Sequence, residues 1–265
     1  MLDLPPANLG LMLLASTGAG LVDAIVGGGG LIMVPSLFGL FPQAVPATLL
    51  GTNKAASVWS TGWAAWQYAK RVQLPSRRLI GALVATLGGA MAGAWLATHV
   101  PARPFRMMLP VLLLAVWLYT LWRKDLGRQH APWGSAPQEA WLATALGAGI
   151  GFYDGLFGPG TGSFFVFALV RILGWDFLHA SAAAKRLNLA ANVAALAWFI
   201  PHGHVVWALS LPMAVANVAG SAVGTRLALK HGAGFVRVAF LVVVGALIVK
   251  TAWDAWRLCQ CWGPV

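Results

Sequence analysis

Charge is scarce in this sequence. Charged residues make up 9% of its 265 positions, against about 25% in ordinary soluble domains. A water-soluble domain of this size could not cover its surface with 18 basic and 7 acidic side chains. Cysteine is nearly absent as well. Cys259 and Cys261 lie in the C-terminal tail, with no further cysteine and no nearby histidine to complete a zinc pattern, so the tail is read as one without chemistry. There is no Gly-Lys-Ser/Thr phosphate loop, which speaks against ATP-driven transport by this chain alone. The run Gly147-Ala-Gly-Ile-Gly151 lies inside an apolar stretch and lacks the strand context that a dinucleotide loop requires. The N-terminus lacks the basic region and small-residue cleavage pattern of a signal peptide, so its first apolar stretch is expected to stay in the mature protein.

Apolar residues are what the chain has instead: 59% are hydrophobic and the mean hydropathy is +0.74. An outer surface that meets lipid accounts for both, since crossing about 30 Å of hydrocarbon takes roughly 20 apolar residues per helix. The chain is read as a multi-pass integral membrane protein whose first partner is the lipid bilayer. The excess of Lys and Arg would suggest nucleic acid in a soluble protein. In a membrane protein, cytoplasmic loops that hold topology and meet anionic headgroups explain it, and no nucleic-acid partner is expected. His202-Gly-His204 falls in a turn between two apolar stretches. An exposed turn is favoured there over a metal site, and no metal or cofactor is expected.

Apolar stretches run from Leu9 to Val26, Leu31 to Phe41, Ala47 to Tyr68, Leu79 to Val100 and Phe105 to Trp122. After a basic connector come Trp141 to Phe157, Ser163 to Leu173, Ala180 to Ile200, Val205 to Ala228 and Phe235 to Trp256. Leu31 to Phe41 and Ser163 to Leu173 span only about half a membrane at about 1.5 Å per residue, and are expected as half-helices. Each follows a glycine-rich break, Gly27 to Gly30 or Gly158-Pro-Gly-Thr-Gly162. Sliding the chain by 131 residues lays Asp23 on Asp154, Gly27 on Gly158, Gly29 on Gly160 and Lys54 on Lys185. It also lays Gly89 on Gly220, Gly93 on Gly224 and Arg106 on Arg237. One unit has been duplicated. Inverting the second copy leaves only Arg103, Arg106, Lys250 and Arg257 of the loop basics outside, whereas parallel copies divide them more evenly. The positive-inside rule therefore favours inversion, with both termini outside. The expected fold is an all-α integral membrane protein with repeats at 1–125 and 141–265 and a basic connector at 126–140. It comprises about eight full transmembrane helices and two half-helices, with a helix broken at each glycine motif.

Unpaired backbone is tolerated in a membrane where it is buried in protein or lines a watery cavity. A half-helix that begins there aims free N–H groups and a positive dipole end at the cavity, which suits an anion. Tight helix packing is the plainer use of the same glycines. Lys54 and Lys185 lie inside apolar stretches, where an ammonium costs roughly 3 kcal/mol at a helix centre. They can form one positive site beside the two breaks, or snorkel to the headgroups. Asn53, Asn188 and Asn192 are nearby amides, able to bond an oxyanion or a neighbouring helix backbone. Arg186 is the remaining basic residue inside an apolar stretch. Asp23 and Asp154, each four residues before its break, could accept a coupling proton, neutralise a lysine or cap a half-helix. Gly89-x-x-x-Gly93 and Gly220-x-x-x-Gly224 let another helix approach closely, within one chain or in a homo-oligomer.

The stretches Gly20-Leu-Val-Asp-Ala-Ile-Val-Gly-Gly-Gly-Gly-Leu-Ile32 and Gly51-Thr-Asn-Lys54 resemble the sulfite exporter TauE/SafE family, also called the 4-toluene sulfonate uptake permeases. So do Gly151-Phe-Tyr-Asp-Gly-Leu-Phe-Gly-Pro-Gly-Thr-Gly-Ser163 and Ala184-Lys-Arg-Leu-Asn188. The resemblance covers nearly the whole chain. It implies a permease of the bacterial inner membrane, not an enzyme, that moves small anions such as sulfite or organosulfonates. Onto this sequence it carries Asp23, Gly27 to Gly30, Thr52 to Lys54, Asp154, Gly158 to Ser163, Lys185 and Asn188.

The leading expectation is a secondary carrier working by alternating access. Its substrate-binding residues would be Gly27, Gly28, Gly29, Gly30, Asn53, Lys54, Gly158, Gly160, Thr161, Gly162, Ser163, Lys185 and Asn188. Asp23 and Asp154 would serve coupling or charge pairing. A non-transporting membrane scaffold is the alternative. An intramembrane aspartyl protease is a further one, although neither aspartate lies in a Gly-x-Gly-Asp element.

Overall fold

The computed structural model describes residues 6–41, 44–74, 76–99 and 136–260. Among the described residues every regular element is a helix. Helices α1 (Pro6–Val26), α2 (Gly30–Leu40), α3 (Pro46–Ala69) and α4 (Ser76–Ala97) come first. Helices α5 (Ala136–Leu156), α6 (Thr161–Leu173), α7 (Phe177–Phe199) and α8 (Trp207–Gln260) follow the connector. The stretch Phe105 to Trp122, the connector up to residue 135 and the side chains of Cys259 and Cys261 lie outside the described residues. The short apolar segments are the half-helices α2 and α6, of 11 and 13 residues. The last two expected stretches run together as α8, broken at Gly232 where the backbone leaves the helical region at φ 73° and ψ −164°. The starts of α2, α3 and α4 recur at those of α6, α7 and α8, each displaced by 131 residues.

The outside of the molecule is apolar, and polar side chains are enclosed among the apolar clusters of its interior. Leu14, Trp141 and Val215 are 73%, 70% and 74% exposed, while Thr52, Lys54, Asp154, Lys185 and Asn192 are buried. Hydrocarbon, not water, suits that exterior. The protein is an all-α integral membrane protein. Asn8–Val26, Leu79–Ala97 and Trp207–Val236 are long and apolar enough by themselves to cross a bilayer. Helices α3, α5 and α7, at 24, 21 and 23 residues, have comparable length. Their lower hydropathy reflects polar residues turned toward the interior.

Helix α1 packs along α8, and α4 along α5, so each half of the chain is clasped by the other. Glycine makes both contacts close. A Cβ on Gly220 would stand 1.9 Å from the Thr17 carbonyl oxygen, and one on Gly93 would stand 2.1 Å from that of Phe152. Both Gly-x-x-x-Gly faces are filled within the chain, and Gly147 and Gly151 receive α4 at Ala82 and Thr86.

Two core clusters show how the helices run. One gathers the start of α1 (Leu9, Met12), the end of α2 (Leu37) with the adjoining Phe41, and the starts of α3 (Leu49) and α8 (Leu209, Met213). The other joins the end of α1 (Val26), Tyr68 of α3, Leu79 of α4, Ala143 of α5, Leu173 of α6 and Phe177 of α7. Half-helix α2 therefore doubles back along α1, and α6 along α5. The glycine breaks reverse the chain inside the protein.

Candidate functional site

The site is built from the two breaks. Gly27 and Gly158, equivalent by the 131-residue offset, adopt φ of +81° and +84°, a left-handed conformation that glycine reaches without a Cβ penalty. The breaks differ at the next shared glycine, since Gly29 is right-handed at φ −57° and Gly160 is left-handed at φ 82°. They also touch. A Cβ on Gly27 would stand 2.3 Å from the carbonyl carbon of Gly162. The Ser163 backbone N–H donates to the Gly27 carbonyl at 3.2 Å, and its hydroxyl to the Val26 carbonyl at 3.0 Å. Neither α2 nor α6 has a side-chain cap. Their positive dipole ends begin beside the same central space.

Helices α3 and α7 bring the lysines. Lys54 is 2% exposed and Lys185 is 0% exposed, so neither snorkels to a headgroup. Lys54 donates to Asp154 Oδ2. Lys185 donates to the backbone carbonyl of Asp23 and, at 3.0 Å, to its Oδ2. The pairing is crossed: each lysine is held by the aspartate of the other half. Removing one partner of such a buried pair leaves an uncompensated charge, at a cost of about 3–5 kcal/mol. The crossed pairs therefore tie the halves together.

A small cavity lies between the breaks. Of the residues singled out from the sequence, Gly27, Gly29, Gly30, Asn53, Lys54, Gly158, Gly162, Asn188 and Asn192 line it, as do both aspartates. Gly28, Gly160, Thr161, Ser163 and Lys185 stand behind its wall. Thr161 and Ser163 use their hydroxyls on the carbonyls of Gly158 and Val26, and the Lys185 ammonium is engaged by Asp23.

The wall also contains Ser57, Ser60, Thr61 and Asn217. Three of these had a readable signal in part. Ser57 and Thr61 follow Lys54 by three and seven residues, as Asn188 and Asn192 follow Lys185, which is the spacing of one helix face. Ser60 is off that stripe. Asn192 Nδ2 donates to Thr61 Oγ1 at 3.5 Å across the two stripes. Asn217 was signalled only as a lone amide in an apolar stretch. Its Oδ1 and that of Asn53 are buried without a hydrogen-bond partner among the described residues.

Chemically, the space offers one ammonium, amide and hydroxyl groups and the positive dipole ends of two helices that have no side-chain cap, a set that suits a small anion. Its carboxylates can take up a positive charge. Among the described residues no three side chains of metal-ligating type gather. The His202 to His204 turn is not part of the cavity wall: His202 stacks on Trp198 and His204 Nδ1 lies 3.3 Å from Thr48 Oγ1. Burial, and then the neighbouring His202, hold the His204 pKa below its ordinary value.

Comparison with known proteins covers almost the full length. The family profile described as sulfite exporter TauE/SafE matches residues 12–251. A probable membrane transporter protein, ORF9, of Sinorhizobium sp is 35% identical over 99% of this chain and 99% of its own. The probable membrane transporter protein YfcA of Escherichia coli K12 is 34% identical over 94% of this chain and 91% of its own. A probable membrane transporter protein of Haemophilus influenzae is 31% identical over 89% and 91%. No solved structure matches the chain.

Proposed function

Because the chain belongs to the sulfite exporter TauE/SafE family of membrane transporters, we propose that it is a secondary carrier of a small anion, a sulfur oxyanion such as sulfite or an organosulfonate. It works in the bacterial inner membrane by alternating access, and is not an enzyme. The observation that carries this reading is the buried ammonium of Lys54 on the wall of a cavity flanked by two half-helix starts that have no side-chain cap. The anion lies there among Lys54, Asn53, Asn188 and the glycine backbones.

The core clusters support an inverted arrangement of the two copies. The start of α1 groups with the start of α8, and the start of α5 groups with the start of α4. Rocking of one copy against the other then opens the central site to each side in turn. An intramembrane aspartyl protease would need its two carboxylates to share a proton, whereas here each aspartate has its own lysine. A scaffold would leave the buried charges and the broken helices without a use.

The test is uptake of labelled sulfite and of methanesulfonate into proteoliposomes. Lys54→Gln combined with Asp154→Asn keeps a neutral hydrogen-bonding pair and removes the ammonium. Transport should fall at least tenfold while thermal unfolding in detergent remains cooperative. Normal transport by this double variant would refute the site.

A further inference from the structure

Lys54 already holds an anion. Its ammonium is engaged by the Asp154 carboxylate, and both side chains line the cavity. On the carrier reading above, on which this inference rests, a substrate anion must take over an ammonium that an internal carboxylate occupies. The companion pair offers no substitute, because Lys185 stands off the wall and is held by two oxygens of Asp23.

The charges around the cavity, Asp23, Lys54, Asp154 and Lys185, cancel. Adding an anion leaves one net negative charge in a buried space otherwise walled by amides, hydroxyls and glycine backbone. An unpaired buried charge is the costly case in protein and in membrane alike. One proton on Asp154 resolves both difficulties, since it neutralises the carboxylate and releases the ammonium. A metal cation held away from Asp154 would balance the charge but leave Lys54 in the grip of Asp154.

The other groups around Asp154 leave this role to it. On α1, Asp23 is held by Lys185. On α7, Arg186 is partly exposed, and Asp176 and His179 pair with each other at the helix start. Helix α6 carries only Arg171, in its last turn. Helix α4 presents Ala90 and Ala94 to Gly155. On α5 itself, the Tyr153 phenol donates to the Pro159 carbonyl at 2.6 Å, and Glu139 accepts from Trp175 at 2.7 Å. Asn53, 4% exposed, lies on the same wall with an Oδ1 that has no partner among the described residues and can accept a hydrogen from a protonated carboxyl group or a bound ligand.

We propose that Asp154 is the proton site of a proton–anion symport. A proton from water in the cavity forms an O–H bond on the Asp154 carboxylate. Lys54 remains an ammonium and turns from Asp154 to the incoming anion. Proton and anion are released together on the other side, and the Lys54–Asp154 pair closes again.

The experiment uses methanesulfonate, whose charge does not change near neutral pH, with sulfite as a second probe. Calorimetric titration of the detergent-solubilised protein in buffers of different ionisation enthalpy counts protons bound with the anion. About one proton per methanesulfonate is expected, with affinity weakening by up to about tenfold for each unit that the pH is raised. In proteoliposomes, one pH unit, acid outside, should concentrate the anion about tenfold. Asp154→Asn, checked for cooperative unfolding, should bind with a flat pH profile and lose concentration driven by the pH gradient. Three results overturn the proposal while leaving the carrier reading intact: anion binding without proton uptake, accumulation that follows a sodium gradient, or an unchanged pH slope in a folded Asp154→Asn protein. If neither probe is bound or carried by the wild-type protein, the carrier reading itself falls. Should Asp154→Asn not fold, the proton count and the gradient response of the wild-type protein decide the matter.

Discussion

Lys54 and Lys185 occupy equivalent places in the two halves, yet only Lys54 faces the cavity. Lys185 is wholly buried and bonded to both the carbonyl and the carboxylate of Asp23. Its main effect is therefore on stability. Lys185→Met should lower unfolding stability by about 3 kcal/mol by leaving Asp23 unpaired, and adding Asp23→Leu should restore most of the loss, as read from thermal unfolding in detergent. The glycines at the break are limited by space as well as by conformation. Gly162 is helical, but a Cβ there would stand 2.4 Å from the Gly27 Cα. Gly162→Ala should cost about 1–3 kcal/mol by overpacking and lower the unfolding midpoint by several degrees. Both lysines, both aspartates and all these glycines were legible in the sequence as charges and breaks inside apolar runs. The partner of each lysine was not legible, because pairing within a half and pairing across halves use the same residues.

At the level of elements, length and punctuation carried the reading. Two apolar runs too short to cross a bilayer, each opened by glycines, became α2 and α6. Positive φ at Gly27 and Gly158 allows the chain to reverse inside the protein. The long helices depend on glycine in another way, since α1 and α8 approach closely at Gly20, Gly220 and Gly224, where a side chain has no room. Gly220→Ala should lower the unfolding midpoint clearly. Gly88→Ala, on α4 with nothing within 4 Å of its would-be Cβ, should leave it unchanged or raise it through better helix propensity, worth up to about 1 kcal/mol. Equal effects of the two substitutions would disprove the packing argument. The sequence marked these glycines as a close-packing face and left open whether the partner lay in the same chain. The structure puts α1 against one face and α5 against the other.

Across the whole molecule, the proposed inverted arrangement makes a prediction about sidedness. The turn at Gly203, between α7 and α8, and the turn at Lys70 and Arg71, between α3 and α4, should lie on opposite sides of the membrane, with the basic turn cytoplasmic. In a variant with Cys259 and Cys261 replaced, Gly203→Cys should react with a membrane-impermeant thiol reagent added to intact cells, and Arg71→Cys only after the cells are opened. Labelling of both from outside would contradict the inverted topology. The amino-acid order by itself determined that the chain lives in lipid, that it is all helical, that two apolar segments are too short to cross a bilayer and that the glycine, aspartate and lysine motifs recur after 131 residues. These follow from hydropathy, glycine placement and periodicity, which are local properties. Only the tertiary structure decided that Lys54 meets Asp154 and Lys185 meets Asp23, that Asn217 joins the wall, and that one lysine faces the cavity while its equivalent does not. Those outcomes depend on which distant segments converge. Each buried charge must find its counter-charge wherever the packing of α1 on α8 and α4 on α5 happens to bring one within reach.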